Sequence, residues 1–575
     1  MDIQALNKKK TIGFVFLTWA VCCLMTQSLY AQDANVEQLL HRGLTQQKGR
    51  PLEETKEIFQ KVVTLDPGSD RAWYELAKIN FSEKAYDASE EALRMAIKSK
   101  PDSTIYWLSL ADVYKASEQF KPLSEVYDQL IQLQPKEQNH YLDKAYALYL
   151  GKQHQEALKV YDDAARTFGL NASIVAGKNT IFLHNKKPNK AFKATKELLR
   201  QEPERAEAYL MLSNLYLTRE HPKKALHVLN EIERQFDQDA RIPLSKSAAL
   251  RQQGQWDKST QELHKVFKNS TLTVNAASRL LLSILSTYPE ALRAATAITL
   301  AEDLVRTHKD NAQAYAVLGD MLIRADKKQE AATQLEKALK LNNKMPVVWE
   351  EYLQLELNLG RIKSLQEKGK EAVALFPSNT LIALFTGFGY MLDNNPQEAR
   401  PYMESALNSA DPNDKELMAQ IYSSLGSIYN GLEMHEVSDV AFEESLAIDS
   451  NNSTVLNNYA YFLSLRKENL DRALHLSKRA NTLSPNNPTF QDTYAWTLFQ
   501  QQQYEQALQW MEKALDASEQ ASATMLQHYG DILLMLHRRE DAIKNWKLAL
   551  KMLPENEDKT RNLILKKIKD TSNEN

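Results

Sequence analysis

Histidine and carboxylate side chains could supply metal or acid–base chemistry, but in this sequence their spacing argues against it. A zinc site of the H-E-x-x-H type needs two histidines four residues apart on one helical face, and His435-Glu436 has no such second histidine. His221 and His227 are six residues apart, which places them on different faces of a helix. Neither a glycine-rich phosphate loop nor a G-x-S-x-G motif occurs. The sequence therefore predicts no catalytic residue, no metal site and no cofactor.

The bulk composition limits both the architecture and the partners. A chain of 575 residues is longer than a single hydrophobic core supports, so several domains or an elongated array is expected. Hydrophobic residues make up 43% and charged residues 25%, a balance typical of folded proteins. The 71 basic and 74 acidic residues give a net charge of -3, without the basic excess of nucleic-acid-binding proteins. We expect no nucleic-acid partner.

The first residues of the chain have the order of a secretory signal peptide. Lys8 to Lys10 precede an apolar run over residues 12–25, and Ala31 is a small residue suited to a cleavage site. The run is shorter than the roughly 20 residues that a membrane span requires, so an uncleaved anchor is the secondary interpretation. We expect residues 1–31 to be removed on export to the periplasm or envelope of a Gram-negative-type bacterium.

The two cysteines lie within this leader. Cys22 follows Val21 and Cys23 follows Cys22, whereas a lipid-modified cysteine normally follows a small residue. Cleavage after Ala31 would leave a mature chain without cysteine, and hence without disulfides or thiol chemistry. Membrane association is then expected only through an uncleaved leader or through a membrane-protein partner.

A period of 34 residues runs through the sequence, and two independent markers follow it. One marker is mostly aromatic and falls at Trp73, Trp107, Tyr141, Val175 and Tyr209. The other is mostly proline and falls at Pro67, Pro101, Pro135, Gly169 and Pro203. Because a proline cannot continue a helix, it separates one repeat from the next.

Each period contains two amphipathic helices. Residues spaced i, i+3, i+4 and i+7 share one helical face, and this spacing joins Trp107, Leu110, Ala111 and Tyr114. The second half has the i, i+4, i+7 set Ala157, Tyr161 and Ala164. Each repeat is therefore predicted to be two helices joined by a short turn, with small residues where the helices approach closely.

This pattern resembles the tetratricopeptide repeat, whose first helix reads W-x2-L-G-x2-Y and whose second reads A-x3-F. A clear example is Tyr422, Leu425, Gly426 and Tyr429. The resemblance implies an all-α fold, a right-handed α-solenoid of about fourteen stacked helix-turn-helix repeats. Their predicted first residues are Asp70, Thr104, Gln138, Ala172, Ala206, Ala240, Val274, Ala312, Pro346, Thr380, Ala419, Ser453, Pro488 and Ala523.

The repeats suggest a linear division of the chain, with the least regular boundaries between residues 172 and 311. The insertion around Asp411-Pro412-Asn413-Asp414 is predicted to be a loop, with a bend between two halves. The predicted order is a signal peptide (1–31), an amino-terminal lead-in with one clear helix (32–69), a first array (70–410), an insertion loop (411–418), a second array (419–555), and a capping helix with tail (556–575).

The resemblance implies a scaffold that holds other proteins. Stacked repeats present a long surface to extended peptides or partner helices, and an envelope assembly or secretion complex is one such setting. The alternative is a repeat-bearing transferase or hydrolase with an unrecognised site. The repeats run from Asp70 to about Pro554 and leave no room for a catalytic domain, which favours the scaffold.

In this repeat family, inward-facing residues of the first helix follow the leading aromatic position and the small position. Near the carboxyl end these inward positions are Asn457, Tyr461, Asp492, Trp496, Gln527 and Asp531. We predict that they bind a protein partner, since aromatic residues beside carboxylates and amides are typical of binding hot spots. The alternative is that Tyr461 and Trp496 pack between adjacent first helices. Trp510 and Trp546 occupy second-helix positions and are expected in the core rather than on a sugar-binding platform.

Overall fold

The structure of the protein is a computed structural model that describes residues 36–45, 52–554 and 557–573. It separates into two compact units, Met1–Val266 and Phe267–Asn575. The predicted signal peptide and both cysteines lie outside the described residues. Within the described part of the chain there are helices and turns but no strands, so the predicted all-α solenoid of helix pairs is confirmed.

The helices of the first unit follow one another with short connections. They are α1 (36–45), α2 (Leu52–Leu65), α3 (Asp70–Ser82), α4 (Tyr86–Ser99), α5 (Thr104–Ala116), α6 (Phe120–Leu133), α7 (Gln138–Leu150), α8 (His154–Phe168), α9 (Ala172–His184), α10 (Pro188–Gln201), α11 (Ala206–Thr218), α12 (Pro222–Ile232), α13 (Arg241–Gln252) and α14 (Trp256–Phe267).

The second unit continues the same order. Its helices are α15 (Val274–Leu285), α16 (Glu290–Thr307), α17 (Ala312–Arg324), α18 (Lys328–Leu341), α19 (Pro346–Asn358), α20 (Ile362–Leu375), α21 (Thr380–Leu392), α22 (Pro396–Ser409), α23 (Lys415–Gly431), α24 (His435–Ile448), α25 (Ser453–Arg466), α26 (Leu470–Leu483), α27 (Pro488–Gln500), α28 (Tyr504–Ala517), α29 (Ala523–Met535), α30 (Arg539–Met552) and α31 (Asp558–Asn573).

In all but one of the predicted repeats, the turn between the two helices contains a residue in the left-handed region. In the first predicted repeat this residue is Lys84, with φ of 61°, and the Ala85 N–H donates to the Asn80 carbonyl at 2.8 Å. This bond spans the helix end in the manner of a Schellman turn. A positive φ recurs fourteen residues after the predicted start in every repeat except the one that begins at Val274. The turn therefore keeps the register even in the weakly patterned repeats beginning at Ala172 and Ala240.

The two sequence markers of the repeat are joined by a hydrogen bond. The Trp73 indole N–H donates to the Pro67 carbonyl at 3.0 Å, and the Tyr209 hydroxyl donates to the Pro203 carbonyl at 3.2 Å. Both bonds span six residues and tie the leading aromatic residue to the turn before its helix. They explain why aromatic residue and proline keep the same interval.

Small residues permit the close helix approach that the pattern predicts. A Cβ placed on Gly426 would lie 2.8 Å from the Phe442 ring, and one on Gly530 would lie 2.5 Å from Trp546. Either contact is shorter than van der Waals packing allows, so the glycines admit the aromatic residue of the second helix. Trp546 is fully buried, which confirms its predicted place in the core.

The insertion before α23 lengthens a helix more than a loop. The prediction of a loop through residue 418 is wrong, because α23 already begins at Lys415. The Asp414 carboxylate accepts from the Leu417 N–H at 3.1 Å and caps the new helix end. The compact units also divide at Val266 rather than near this insertion.

The amino end of the described chain has one helix more than predicted, and the carboxyl end has the predicted capping helix. The predicted lead-in contains two helices rather than one clear helix. Gly43 on α1 faces Phe59 on α2, at a distance of 2.7 Å for an added Cβ. Gly43 precedes Ala77 by 34 residues, so α1 and α2 continue the repeat register. At the carboxyl end, the helix predicted to cap the array is α31, and it buries Ile564 completely.

In the second unit, first helices contact the first helices of neighbouring repeats. Such contacts join α15 to α17, α19 to α21, α25 to α27 and α27 to α29. The inward positions of successive repeats therefore lie along one layer, which is where a binding surface would form.

No helix among the described residues is long and apolar enough to cross a membrane.

Candidate functional site

The inward positions predicted near the carboxyl end are largely buried. Asn457, Asp492, Trp496 and Asp531 are each less than a tenth exposed, and every residue from Phe490 to Leu498 on α27 is buried. A helix buried on all sides offers little surface to a partner. The prediction that these residues bind a partner remains a prediction, but their placement agrees with the alternative that the aromatic residues pack between first helices.

A histidine on α29 holds three of the predicted residues together. The His528 ring stacks on Trp496 with centroids 4.0 Å apart, and Tyr461 lies 6.2 Å from the same ring. His528 Nδ1 donates to Asp492 Oδ1 at 2.9 Å, since an ionised carboxylate can only accept. Burial raises the pKa of Tyr461 to about 12, and the nearby Asp492 adds to the shift. Tyr461, Asp492, Trp496 and His528, with Phe499 stacked on Trp496 at 4.8 Å, form the filled cluster.

The other predicted residues are held by different partners. Asp531 accepts the Trp546 indole N–H at 3.0 Å and the Lys567 ammonium at 2.6 Å, which ties α29 to α30 and α31. The backbone carbonyl of Gln527 accepts a hydrogen bond from the same indole N–H at 3.3 Å. Asn457 is buried and contacts the neighbouring Asn458 amide at 3.4 Å. These three residues make contacts within the array, and their binding of a partner stays a prediction.

Sequence reasoning missed His528 and Lys567, the two residues that organise this region. His528 follows Asp492 by 36 residues, which is about one repeat. The two residues therefore stand at nearly the same place on successive first helices, α27 and α29, where the histidine can donate to the carboxylate. Lys567 lies on the capping helix among many charges, and nothing in its neighbourhood distinguishes it. A comparison of residues one repeat apart could have found His528. Lys567 could be found only from the packing of α31 on the end of the array.

In the repeats at the start of the second unit, the inward positions Ser278, Leu282, Ala316 and Asp320 line a groove. Here α15, α17 and α19 enclose a groove of about 500 Å³. Leu282 and Val347 project into solvent from its walls with 51% and 61% of their surface exposed, and Ala316 and Val317 form a buried floor. We define the open groove by Ser278, Leu282, Ala316, Val317, Asp320, Val347 and Glu351.

Carboxylates dominate one end of the open groove. Asp320 accepts from Arg324 on its own helix at 2.9 Å, while Glu351 makes no ion pair with any described residue. Burial raises the pKa of Glu351, and the negative charges of Asp320 and Glu350 raise it further, with Arg324 acting in the opposite direction. The end of the groove thus carries more negative than positive charge, beside apolar walls.

The first unit has a smaller surface of the same kind. A depression of about 300 Å³ lies between α3 and α5 and is lined by Tyr74, Lys78, Phe81 and Asp112. Lys78 is paired with Glu75 at 2.8 Å and lies over the Tyr74 ring at 5.5 Å. Burial raises the pKa of Asp112. This surface combines an aromatic wall with charges of both signs.

The described residues contain no group of three or more histidine, cysteine or carboxylate side chains that could hold a metal ion. Their side chains form packing contacts, surface ion pairs and the two inward surfaces described above. What this arrangement can do chemically is to bind, through exposed apolar side chains with carboxylates beside them.

Sequence models of the tetratricopeptide repeat match four stretches of the chain, and no curated protein matches it. The matched residues are 52–113, 182–244, 288–346 and 494–522. The first stretch includes α2, part of the predicted lead-in, and the second includes the weakly patterned region around α10. The second stretch and the first part of the third fall in the part of the chain where the repeat boundaries were least regular in sequence.

Solved structures with similar folds include three proteins of low sequence identity. The Cut9-Hcn1 hetero-tetramer of the APC/C is 14% identical, covers 81% of this chain and 96% of its own, and has a TM-score of 0.35. A tetratricopeptide repeat protein from Parabacteroides merdae is 16% identical over 45% and 98%, with a TM-score of 0.37. YrrB, described as having an unusual peptide-binding site, is 17% identical over 36% and 97%, with a TM-score of 0.29. Superpositions this weak carry no functional argument.

Proposed function

This chain is a tetratricopeptide repeat protein, and on that premise we propose that it is an exported scaffold that binds segments of partner proteins on the inward surfaces of its first helices. The open groove carries the proposal. Leu282 and Val347 expose apolar surface to water. Burying that surface against a partner would be favourable. A partner segment laid along α15, α17 and α19 would bury it.

The continuity of the repeats supports a scaffold over a catalyst. From Asp70 to Met552 the described helices form successive pairs with short connections, and no intervening segment is large enough for a catalytic domain. An envelope assembly or secretion complex is the setting we propose, because export and an extended binding surface are both needed there.

Export rests on the leader sequence. Three lysines, a short apolar run and the Leu29-Tyr30-Ala31 ending are the order that signal peptidase substrates share. Intact-mass measurement of protein from its native host should show a chain that begins at Gln32. A mass retaining residues 1–31, or carrying acyl chains at Cys22 or Cys23, would contradict export by cleavage.

Site-specific photocrosslinking tests the binding surface. A photoreactive phenylalanine analogue replaces Val347 on first helix α19 or, as the matched control, Val440 on second helix α24, which is 60% exposed against 61% for Val347. We expect protein adducts from position 347 and few from position 440. Equal capture at both positions, or none at 347, would contradict binding on the inward surface.

A further inference from the structure

We propose that the open groove selects partner segments in which an apolar residue is followed within a few residues by a lysine or arginine. This inference rests on the proposed function and names the chemistry of its ligand. The apolar walls select the first residue, and the carboxylates at one end select the second.

The apolar half of the groove is built for one large side chain. Leu282 and Val347 stand on helices on either side of α17, while the α17 residues between them are the small Ala316 and Val317. A leucine or phenylalanine side chain laid on this floor would cover exposed apolar surface of the walls. Burying this side chain and the groove residues that it covers would contribute about 25 cal/mol of binding free energy for each Å² of apolar surface removed from water.

The acidic half lies one helical turn away on two helices. Glu351 follows Val347 by four residues, and Asp320 follows Ala316 by four, so each carboxylate is displaced about 5–6 Å along its helix from the apolar part. That displacement matches the spacing of residues i and i+2 in an extended segment, or i and i+4 in a helix. A basic side chain at either spacing reaches the carboxylates while the apolar one fills the groove.

Charge complementarity decides the sign of the ligand. Near Glu351 are the carboxylates of Asp320 and Glu350 and the single guanidinium of Arg324, which already pairs with Asp320. Glu350 accepts from the Asn379 amide at 2.7 Å, which leaves its charge uncompensated. A partner cation here would gain from the excess negative charge, whereas a partner carboxylate would be repelled.

In and near the filled cluster, the carboxylates at inward positions have partners within the array. There Asp492 accepts a hydrogen bond from His528, and the nearby Asp531 pairs with the Lys567 ammonium. In the open groove no described residue does this for Glu351. The free carboxylate is a property of the open repeats, and we assign it to ligand recognition.

Fluorescence anisotropy with synthetic peptides tests the selection on the full chain. The probes are twelve-residue serine and glycine peptides with one leucine and, two or four residues later, a lysine, glutamine or glutamate. At low salt, we expect the lysine peptide of at least one spacing to bind about tenfold more tightly than its glutamate counterpart, with the difference shrinking in 0.5 M NaCl.

Two double variants separate the halves of the site. Asp320→Asn with Glu351→Gln should reduce the lysine-over-glutamine preference to within about twofold, whereas Leu282→Ser with Val347→Ser should weaken all peptides together. A lysine preference that survives the first double variant overturns the proposal, and so does equal binding of lysine and glutamate peptides.

Folding of each variant is checked by circular dichroism, which makes a loss of binding attributable to the groove. If no probe binds up to millimolar concentration, the proposed ligand chemistry is wrong. Protein adducts at position 347 would then still support the broader binding function, so the two proposals fail separately.

Discussion

The open groove and the filled cluster both lie along first helices of one compact unit, yet one faces solvent and the other is buried. In the open groove the second inward positions of α15 and α17 are Leu282 and Asp320, neither of which is aromatic. In the filled cluster they include Tyr461 and Trp496, whose rings meet the His528 ring between helices. Aromatic side chains at the second inward position, packed on a histidine of a later repeat, therefore distinguish the filled cluster from the open groove.

The comparison also shows where repeat proteins place unpaired charge. A carboxylate buried within the filled cluster needs a partner, and Asp492 has His528. Glu351 at the edge of an open groove keeps contact with water and tolerates the lack of one. Function is therefore expected where the array leaves a group unpaired at the surface.

Removing the largest ring of the filled cluster should have the largest effect. Trp496→Ala is expected to cost about 3 kcal/mol and to raise hydrogen exchange across α25–α29, because the stacking on His528 and Phe499 is lost. Leu282→Ala in the open groove, the control, should change stability by less than about 0.5 kcal/mol. Loss of partner capture by Trp496→Ala with unchanged hydrogen exchange would instead restore a binding role to Trp496.

Adding one methyl group at matched glycines should separate the two regions further. Gly530→Ala places a Cβ 2.5 Å from Trp546, whose indole N–H is bonded to Asp531, and should cost about 2 kcal/mol. Gly319→Ala places a Cβ against Cδ2 and Cγ of the buried Leu335, an aliphatic side chain that no hydrogen bond holds in place, and should cost about 1 kcal/mol. Urea denaturation of both variants measures the difference, and a larger loss at Gly319 would contradict this account of the packing.

The ion pair that docks α31 should have an intermediate effect. Lys567→Met leaves the Asp531 carboxylate without its cation and should cost about 1.5 kcal/mol, with hydrogen exchange rising mainly in α31. Adding Asp531→Asn should recover part of this loss, because the unpaired charge is then gone. Equal stability of the single and double variants would mean that the pair contributes only packing.

The smallest effect is expected at Glu351 and should depend on pH. Its raised pKa means that folding penalises the ionised form, so stability from this group is lost as the pH rises through the folded pKa. Glu351→Gln should therefore stabilise the protein at pH 7, by about 0.5 kcal/mol, and the gain should vanish at acidic pH. Thermal melts between pH 4 and 8 measure it.

Glu233 in the first unit provides a control of opposite sign. A hydrogen bond from Lys246 lowers its pKa below the ordinary value of 4.5; burial opposes this by a smaller amount, and a hydrogen bond from Lys265 lowers the pKa further. Its stabilisation is therefore present at neutral pH and lost as the pH falls through the lowered pKa. Glu233→Gln should destabilise at pH 7 and become neutral in acid, and the same sign for both variants would contradict the electrostatic account.

Local helix physics made most of the fold predictable. The i, i+3, i+4, i+7 spacing and the proline markers placed twelve of fourteen first helices at their observed first residue. The exceptions have local causes: α13 begins one residue late, and Asp414 caps α23 four residues early. The α1 helix was missed although Gly43 keeps the 34-residue interval, because no aromatic marker stands beside it.

The sequence by itself determined which residues occupy the inward positions, since a helical period and a repeat register assign them without knowledge of any neighbour. Only the tertiary structure decided which of those positions are exposed, because exposure depends on side chains from three successive helices at once. Trp496 is buried against a histidine one repeat away, whereas Leu282, at the equivalent inward position of α15, is half exposed. Contacts of that kind are absent from any single repeat.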